Sequence, residues 1–147
     1  MSGRPRTARA RNDQGSAVVE FALLTIVAIV PLAWAGLALQ QLAAVHQATQ
    51  AAAGESLRVF LTADSEPSGR RQAELAAALA LTERPGVRSY DVRVGCGTTR
   101  CLQPGTTVRV GVTVRAELPQ IPVLGLTPSL TAQAEQYGVV DAFAAAR

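Results

Sequence analysis

Few residues in this sequence are of the types that catalyse reactions or bind metals, and they lie far apart. His46 is the only histidine, and Cys96 and Cys101 are the only cysteines. No glycine-rich phosphate-binding loop accompanies them, and no spacing singles out a pair of carboxylates. Two thiols and one distant imidazole are too few for a four-ligand zinc site. We therefore predict no catalytic residues, no metal and no cofactor, and a protein that is not an enzyme.

Glu20 is the acidic residue with the most unusual surroundings. The stretch from Phe21 to Leu39 that follows it contains no charged residue. As a helix it would be about 28 Å long, close to the hydrocarbon thickness of a bilayer. A domain this small could not bury a helix that is apolar on every side, so we predict a membrane-spanning helix. A carboxylate at its start is costly unless it finds a partner or stays at headgroup depth, and both alternatives are open.

Positive charge is concentrated before this segment. All fourteen basic residues are arginine, and four of them face one acidic residue in the first fifteen positions. From Ser16 onward ten arginines balance ten acidic residues, which leaves no basic face for nucleic acid. The positive-inside rule then predicts a single-pass protein of the cell membrane. Its N-terminus would be cytoplasmic and its C-terminal domain extracytoplasmic.

The residues around Glu20 resemble a known processing site. Gly15-Ser16-Ala17-Val18-Val19-Glu20-Phe21 is similar to the site of type IV prepilins, and most similar to that of TadE-like minor pilins or pseudopilins of tight-adherence (Flp-type) pilus systems. In that family a prepilin peptidase cuts after a glycine, and glutamate becomes the fifth residue of the mature chain. The resemblance implies cleavage between Gly15 and Ser16. Phe21 replaces the tyrosine common in major Flp pilins, which favours the TadE-like branch.

The resemblance also implies a role for Glu20. In pilins a buried carboxylate can pair with the N-terminal ammonium of a neighbouring subunit and fix the axial register of the packed helices. The implied partners are the prepilin peptidase, other pilin or pseudopilin subunits, the membrane proteins that assemble the pilus, and the lipid bilayer. The implied function is that of a structural subunit of a pilus or secretion apparatus, with a place in an extracellular filament left open.

Two other interpretations remain open. A signal-anchored protein whose outer domain binds a ligand would not be processed at Gly15. It would keep the leader or lose the whole helix, and Ala33-Trp34-Ala35 and Gly36-Leu37-Ala38 loosely permit ordinary signal cleavage. An accessory factor for substrate export would share the processing of a pilin.

Periodicity predicts an α+β fold in three parts. Residues 1–15 form a basic leader, 16–60 a transmembrane helix extended into a helical stalk, and 61–147 a small antiparallel, strand-rich domain. Alanine and glutamine favour helix in the stalk, where the apolar stripe is Leu42, Val45, Ala48 and Ala52. After a loop over 64–69, a second helix over 70–82 should pack on the first through Leu75, Ala78 and Leu79.

Alternating apolar residues then predict strands. One covers Tyr90, Val92 and Val94, and a clearer one runs from Val108 to Arg115, as an antiparallel pair. Residues 118–128, with three prolines, predict an irregular connector. Ser129 to Val140 predicts a third strand with Leu130, Ala132 and Ala134 on one face, before a frayed tail over 141–147.

The two cysteines flank the turn-rich loop between the first two strands. Four residues separate them, whereas a redox-active CxxC motif has two. Thiols beyond an exporting membrane tend to be oxidised, so we predict a disulfide between Cys96 and Cys101. On the chain-entropy argument a loop this short contributes about 2 kcal/mol of stability.

Overall fold

A computed structural model describes residues 13–122 and 124–141 of the chain. This part contains two helices and three strands: α1 (Asp13–Leu61), α2 (Glu66–Thr82), β1 (Val87–Cys96), β2 (Thr107–Glu117) and β3 (Ser129–Val139). The order confirms the predicted α+β fold, a long apolar helix followed by a small antiparallel sheet. Most of the predicted leader and of the predicted frayed tail lie outside the described residues.

α1 is one continuous helix of 49 residues, which at 1.5 Å per residue is about 74 Å long. It runs through Pro31 without a break. Proline lacks an N–H, so the carbonyl of Val27 loses its usual helical partner, a defect that membrane helices tolerate. Within the described residues, α1 is the one helix long and apolar enough to cross a bilayer.

The second half of α1 forms the core of the domain together with the sheet. β2 is the central strand, and its alternate residues Val108, Val110, Val112, Val114 and Ala116 are all buried. α1 packs against β2 and β3, with Val45, Ala48, Ala52, Ala53, Leu57 and Phe60 as its buried apolar residues. The predicted stripe is confirmed from Val45 to Ala52, whereas Leu42 is exposed. The predicted stalk and the predicted outer domain therefore share a single core.

The sheet is an antiparallel meander in the order β1-β2-β3. Val92 of β1 lies opposite Val112 of β2, which in turn lies opposite Ala134 of β3. Because successive side chains of a strand point to opposite faces, this register places the predicted apolar positions of all three strands on the same face. The antiparallel pairing, the third strand and the irregular connector are confirmed.

α2 packs through a different face from the one predicted. The helix begins at Glu66, so four of the six positions of the predicted loop over 64–69 are helical. The packing face assigned to Leu75, Ala78 and Leu79 was wrong, because both leucines point to solvent. The buried residues are Gly69, Ala73, Ala77 and Leu81, spaced four apart.

Close approach of the two helices explains this choice. A Cβ atom on Gly69 would lie 2.9 Å from the Phe60 ring, closer than real side chains pack. The Ser56 hydroxyl of α1 also donates a hydrogen bond of 2.8 Å to the carbonyl of Ala73 in α2. Larger residues at the positions of Gly69, Ala73 and Ala77 would hold the helices apart. Close packing therefore buries the face of α2 that carries these small residues, although the face with Leu75 and Leu79 is more apolar.

This assignment predicts opposite outcomes for two leucines two residues apart. Leu81 is 2% exposed and Leu79 is 79% exposed. Leu81→Ala should lower the free energy of unfolding by about 2–5 kcal/mol, because it leaves a cavity in the core. Leu79→Ala should change it by about 0.5 kcal/mol or less. Urea titration of the full chain in detergent micelles, followed by circular dichroism, measures both; equal losses would contradict the assigned face.

Candidate membrane and assembly site

The first half of α1 carries an apolar surface that the rest of the chain leaves largely uncovered. Its exposed large side chains are Val18, Val19, Phe21, Leu23, Leu24, Ile26, Val27, Ile29, Val30, Leu32, Leu37 and Leu39. A surface of this extent would be strongly unfavourable in water and far exceeds the patches of ordinary soluble domains. It requires a cover of lipid or of other apolar helices.

Glu20 is the one charged residue of this apolar surface. It is exposed on α1, next to the exposed side chains of Val19 and Phe21. No further Asp, Glu, Lys or Arg follows it in the sequence until Glu55. The ion pairs among the described residues all involve Glu55 or later positions, so none of them neutralises Glu20. A cation for Glu20 must come from the residues before it, from lipid or from another molecule.

Gly15 and Ser16 lie in the first turn of α1, which begins at Asp13. In a helix, residues four apart lie on the same face, so Ser16 and Glu20 are separated by about 6 Å along the axis. A peptidase that binds an extended chain must unwind this first turn. Terminal turns are the part of a helix that frays most readily.

Two polar side chains of α1, one near the C-terminal end of the apolar surface and one just beyond it, attach the domain to the helix. The indole N–H of Trp34 donates to the carbonyls of Pro119 and Gln120, at 3.1 and 3.0 Å. The Gln41 amide donates to the carbonyl of Glu117 at 2.7 Å and to that of Pro85 at 3.2 Å. Sequence reasoning missed both roles. The only available signal was a lone tryptophan and a glutamine pair at the end of an apolar segment.

Gly86 allows this attachment to close. It has a φ of +86°, and a Cβ atom there would collide with the Gln41 side chain and the Glu117 carbonyl. Beside it, the guanidinium of Arg88 donates a hydrogen bond of 2.6 Å to the Glu117 carboxylate. This hydrogen bond, together with the carboxylate charge, raises the pKa of Arg88 above its ordinary value. The base of the domain, formed by Gly86, Arg88 and Glu117, is thus polar and charged.

The remaining predicted residues lie elsewhere in the domain. His46 is exposed, and its Nε2 atom lies 3.0 Å from the amide nitrogen of Gln50, one turn along α1. Cys96 and Cys101 are bonded as predicted. The backbone N–H of buried Cys101 donates to the carboxylate of Glu66 at 2.5 Å, which joins the disulfide loop to the start of α2.

No protein-family model, no curated protein and no solved structure matches this chain. Its function is therefore inferred from the sequence and geometry of the chain itself. Within the described residues no group of three His, Cys, Asp or Glu side chains is placed to hold a metal ion.

The disulfide gives a prediction that is independent of function. Without reduction, the purified protein should have a mass about 2 Da below that of the dithiol form, because two hydrogens are lost. The double variant Cys96→Ser, Cys101→Ala should lower the free energy of unfolding by about 2 kcal/mol, since it removes the closure of a short loop. Two freely alkylated thiols in the unreduced protein would contradict the bond.

Proposed function

We propose that the chain is a structural or assembly subunit of a type IV-related pilus or secretion apparatus, of the TadE-like minor pilin or pseudopilin kind. The observation that supports it best is Glu20, the one charged residue within the exposed apolar surface of α1. The glycine at position 15 and the basic leader complete the pattern. A prepilin peptidase cuts between Gly15 and Ser16 on the cytoplasmic side, and the C-terminal domain is extracytoplasmic.

Removal of the leader creates the cation that Glu20 lacks. Cleavage gives Ser16 a free ammonium group at the start of the apolar helix. In a packed array of helices this ammonium can pair with Glu20 of a neighbouring subunit. Such a pair adds little net stability, because both charges lose water, but it favours one axial register over all others. Processing and assembly are then coupled through a single ion pair.

The spacing also provides a partner before assembly. Side chains on a helix lean toward its N-terminus, so Glu20 leans toward Ser16 of its own chain, one turn away. The new helix N-terminus also favours a nearby negative charge through the helix dipole. An isolated, processed subunit therefore keeps its carboxylate neutralised at the membrane surface. Assembly exchanges this partner for the same group of another subunit.

Phe21 belongs to the same contact surface. It is among the most exposed side chains of α1 and follows the carboxylate directly. An aromatic ring at this position supplies a large apolar area for packing against the helix of another subunit. Glu20 thus fixes the axial register of the subunits, and Phe21 supplies much of the apolar contact near it.

Processing is the first test. N-terminal sequencing of the membrane-associated protein, from cells with an active prepilin peptidase, should begin at Ser16. Gly15→Val should reduce cleavage more than Gly15→Ala, because the larger side chain obstructs the peptidase cleft. A chain that keeps Met1 or Ser2 as its sole N-terminus would refute the processing and favour the signal-anchored binding protein.

The second test concerns assembly of the subunits and uses the variants Glu20→Gln and Glu20→Leu. An acidic residue costs about 2.5–3.5 kcal/mol at the centre of a membrane helix and less toward its ends. Both substitutions should therefore leave membrane insertion unchanged or improve it, and leader cleavage should still proceed. Crosslinking between subunits, from a photoreactive phenylalanine analogue in place of Phe21, should fall several-fold at equal membrane levels.

Thr25→Val is the matched control. The Thr25 hydroxyl already donates to the carbonyl of Phe21 within the helix, so its loss removes a polar group without removing a charge. This variant should crosslink as the unmodified chain does. Unchanged crosslinking and unchanged pilus-dependent adhesion in Glu20→Leu would reject the assembly role.

A further inference from the structure

The connector between β2 and β3 runs along the apolar half of α1 and not around the domain. It leaves β2 after Glu117, beside Gln41, and the carbonyls of Pro119 and Gln120 accept hydrogen bonds from the Trp34 indole. Trp34 lies about 10 Å before Gln41 along the helix, at 1.5 Å per residue. The connector therefore extends past the polar base of the domain toward the N-terminal end of α1.

On the N-terminal side of Trp34, the connector and α1 line an apolar cleft of about 380 Å³. Ile121 and Pro122 form one wall, and Ile26, Val27, Val30 and Pro31 form much of the other. The tip of the connector also exposes Leu124 and Leu126. Residues 118–134 carry no charged side chain, although Arg88 and Glu117 flank the connector at the base.

The backbone of the connector forms many of its own hydrogen bonds. The N–H of Ile121 donates to the carbonyl of Leu126 at 2.8 Å, and that of Gly125 donates to Ile121 at 3.1 Å. The N–H of Leu118 donates to Pro128 at 2.8 Å, and the Gln120 side chain donates to the Gly125 carbonyl. Three prolines have no N–H to satisfy. Unpaired backbone groups are costly in apolar surroundings, so this internal pairing lowers the cost of placing the connector there.

We infer that residues 118–122 and 124–126 belong to a second membrane-embedded element, whose tip inserts among lipid acyl chains beside α1. The apolar segment of α1 ends at Leu39, so Trp34 would lie about 8 Å inside the hydrocarbon region, and Ile26 about 20 Å inside it. Leu124 and Leu126 then face lipid, and an acyl chain fills the cleft. Gln41, Arg88 and Glu117 mark the level of the headgroups, where polar and charged groups are stable.

The position of the tip beside the candidate membrane span favours lipid over a protein partner as its cover. The tip lies against the segment of α1 that is long and apolar enough to cross a bilayer, so any lipid around that segment also surrounds the tip. The inference rests on the membrane crossing of α1, which is part of the proposed function, but it does not depend on cleavage at Gly15 or on the role of Glu20.

Three single-cysteine variants, labelled with a nitroxide, test the insertion. The chain has no free thiol, so the introduced cysteine is the only one available to the label. Leu124→Cys reports on the connector. Leu75→Cys on α2 is its matched control, because both leucines are 65% exposed. Leu32→Cys, at a position that is 75% exposed on α1, reports on the helix itself.

The measurement is collision of each label with oxygen, which concentrates in lipid, and with a water-soluble nickel complex. The full chain is placed at low density in vesicles of phosphatidylethanolamine and phosphatidylglycerol. Labels at positions 124 and 32 should favour oxygen several-fold over nickel, and the label at 75 should show the reverse. Leu126→Cys should repeat the result for position 124 if labelling there disturbs the connector.

The failures of the two proposals are distinguishable. Water exposure at position 124 together with lipid exposure at position 32 would overturn the inserted connector and leave the membrane helix intact. Water exposure at both positions would reject the membrane crossing of α1. Protection of position 124 from both reagents, with dipolar broadening between labels, would instead identify a second copy of the chain as its cover and would also overturn lipid insertion.

Discussion

α1 has to satisfy two different surroundings with one unbroken helix. Its first half exposes apolar side chains in every direction, while its second half buries one stripe against the sheet and against α2. Between Glu20 and Glu55 the sequence has no Asp, Glu, Lys or Arg, so none of these residues marks the change of surroundings. The transition is marked instead by the polar attachments at Trp34 and Gln41, which hold the domain at one height on the helix. The path of the connector and the faces that α1 leaves open depend on this position of the domain along the helix.

Much of the domain follows from periodicity alone. Alternation of apolar residues identified all three strands, whereas their order and register come from the structure. The bond between Cys96 and Cys101 was predicted from the short loop between them together with the expected export of the domain. The face of α2 was not predictable in the same way, because apolar periodicity ranks leucine above alanine and glycine. Close packing against Phe60 and Ser56 selects small residues, and this contact joins residues that are far apart in sequence.

The residues of the candidate site also fall into two groups, those that a local sequence pattern indicates and those that only the fold brings together. Gly15, Ser16 and Glu20 are neighbours in sequence, so a local pattern could identify them before any fold was known. Trp34 acts through Pro119 and Gln120, more than eighty residues later, and the partners are backbone carbonyls that carry no residue-specific signal. A three-proline connector predicts irregular structure, but its composition does not indicate which surface it will lie against. The contacts of Gln41 and Gly86 set the position of the domain along α1, and this position directs the connector along the helix.

The connector also constrains how α1 can contact other helices. From Ile26 to Trp34 one side of α1 faces Ile121 and Pro122 across the cleft, so that side is not available to a neighbouring subunit. Glu20 lies six residues before Ile26, about 9 Å further along the axis, and is not among the residues that line the cleft. If α1 packs into an array, contacts near Glu20 and Phe21 can therefore form on any face, whereas contacts above Ile26 are restricted to the faces that the connector leaves open. A pairing that fixes register is most effective at the unrestricted end, because packing higher on the helix already limits rotation but does not by itself fix the axial position.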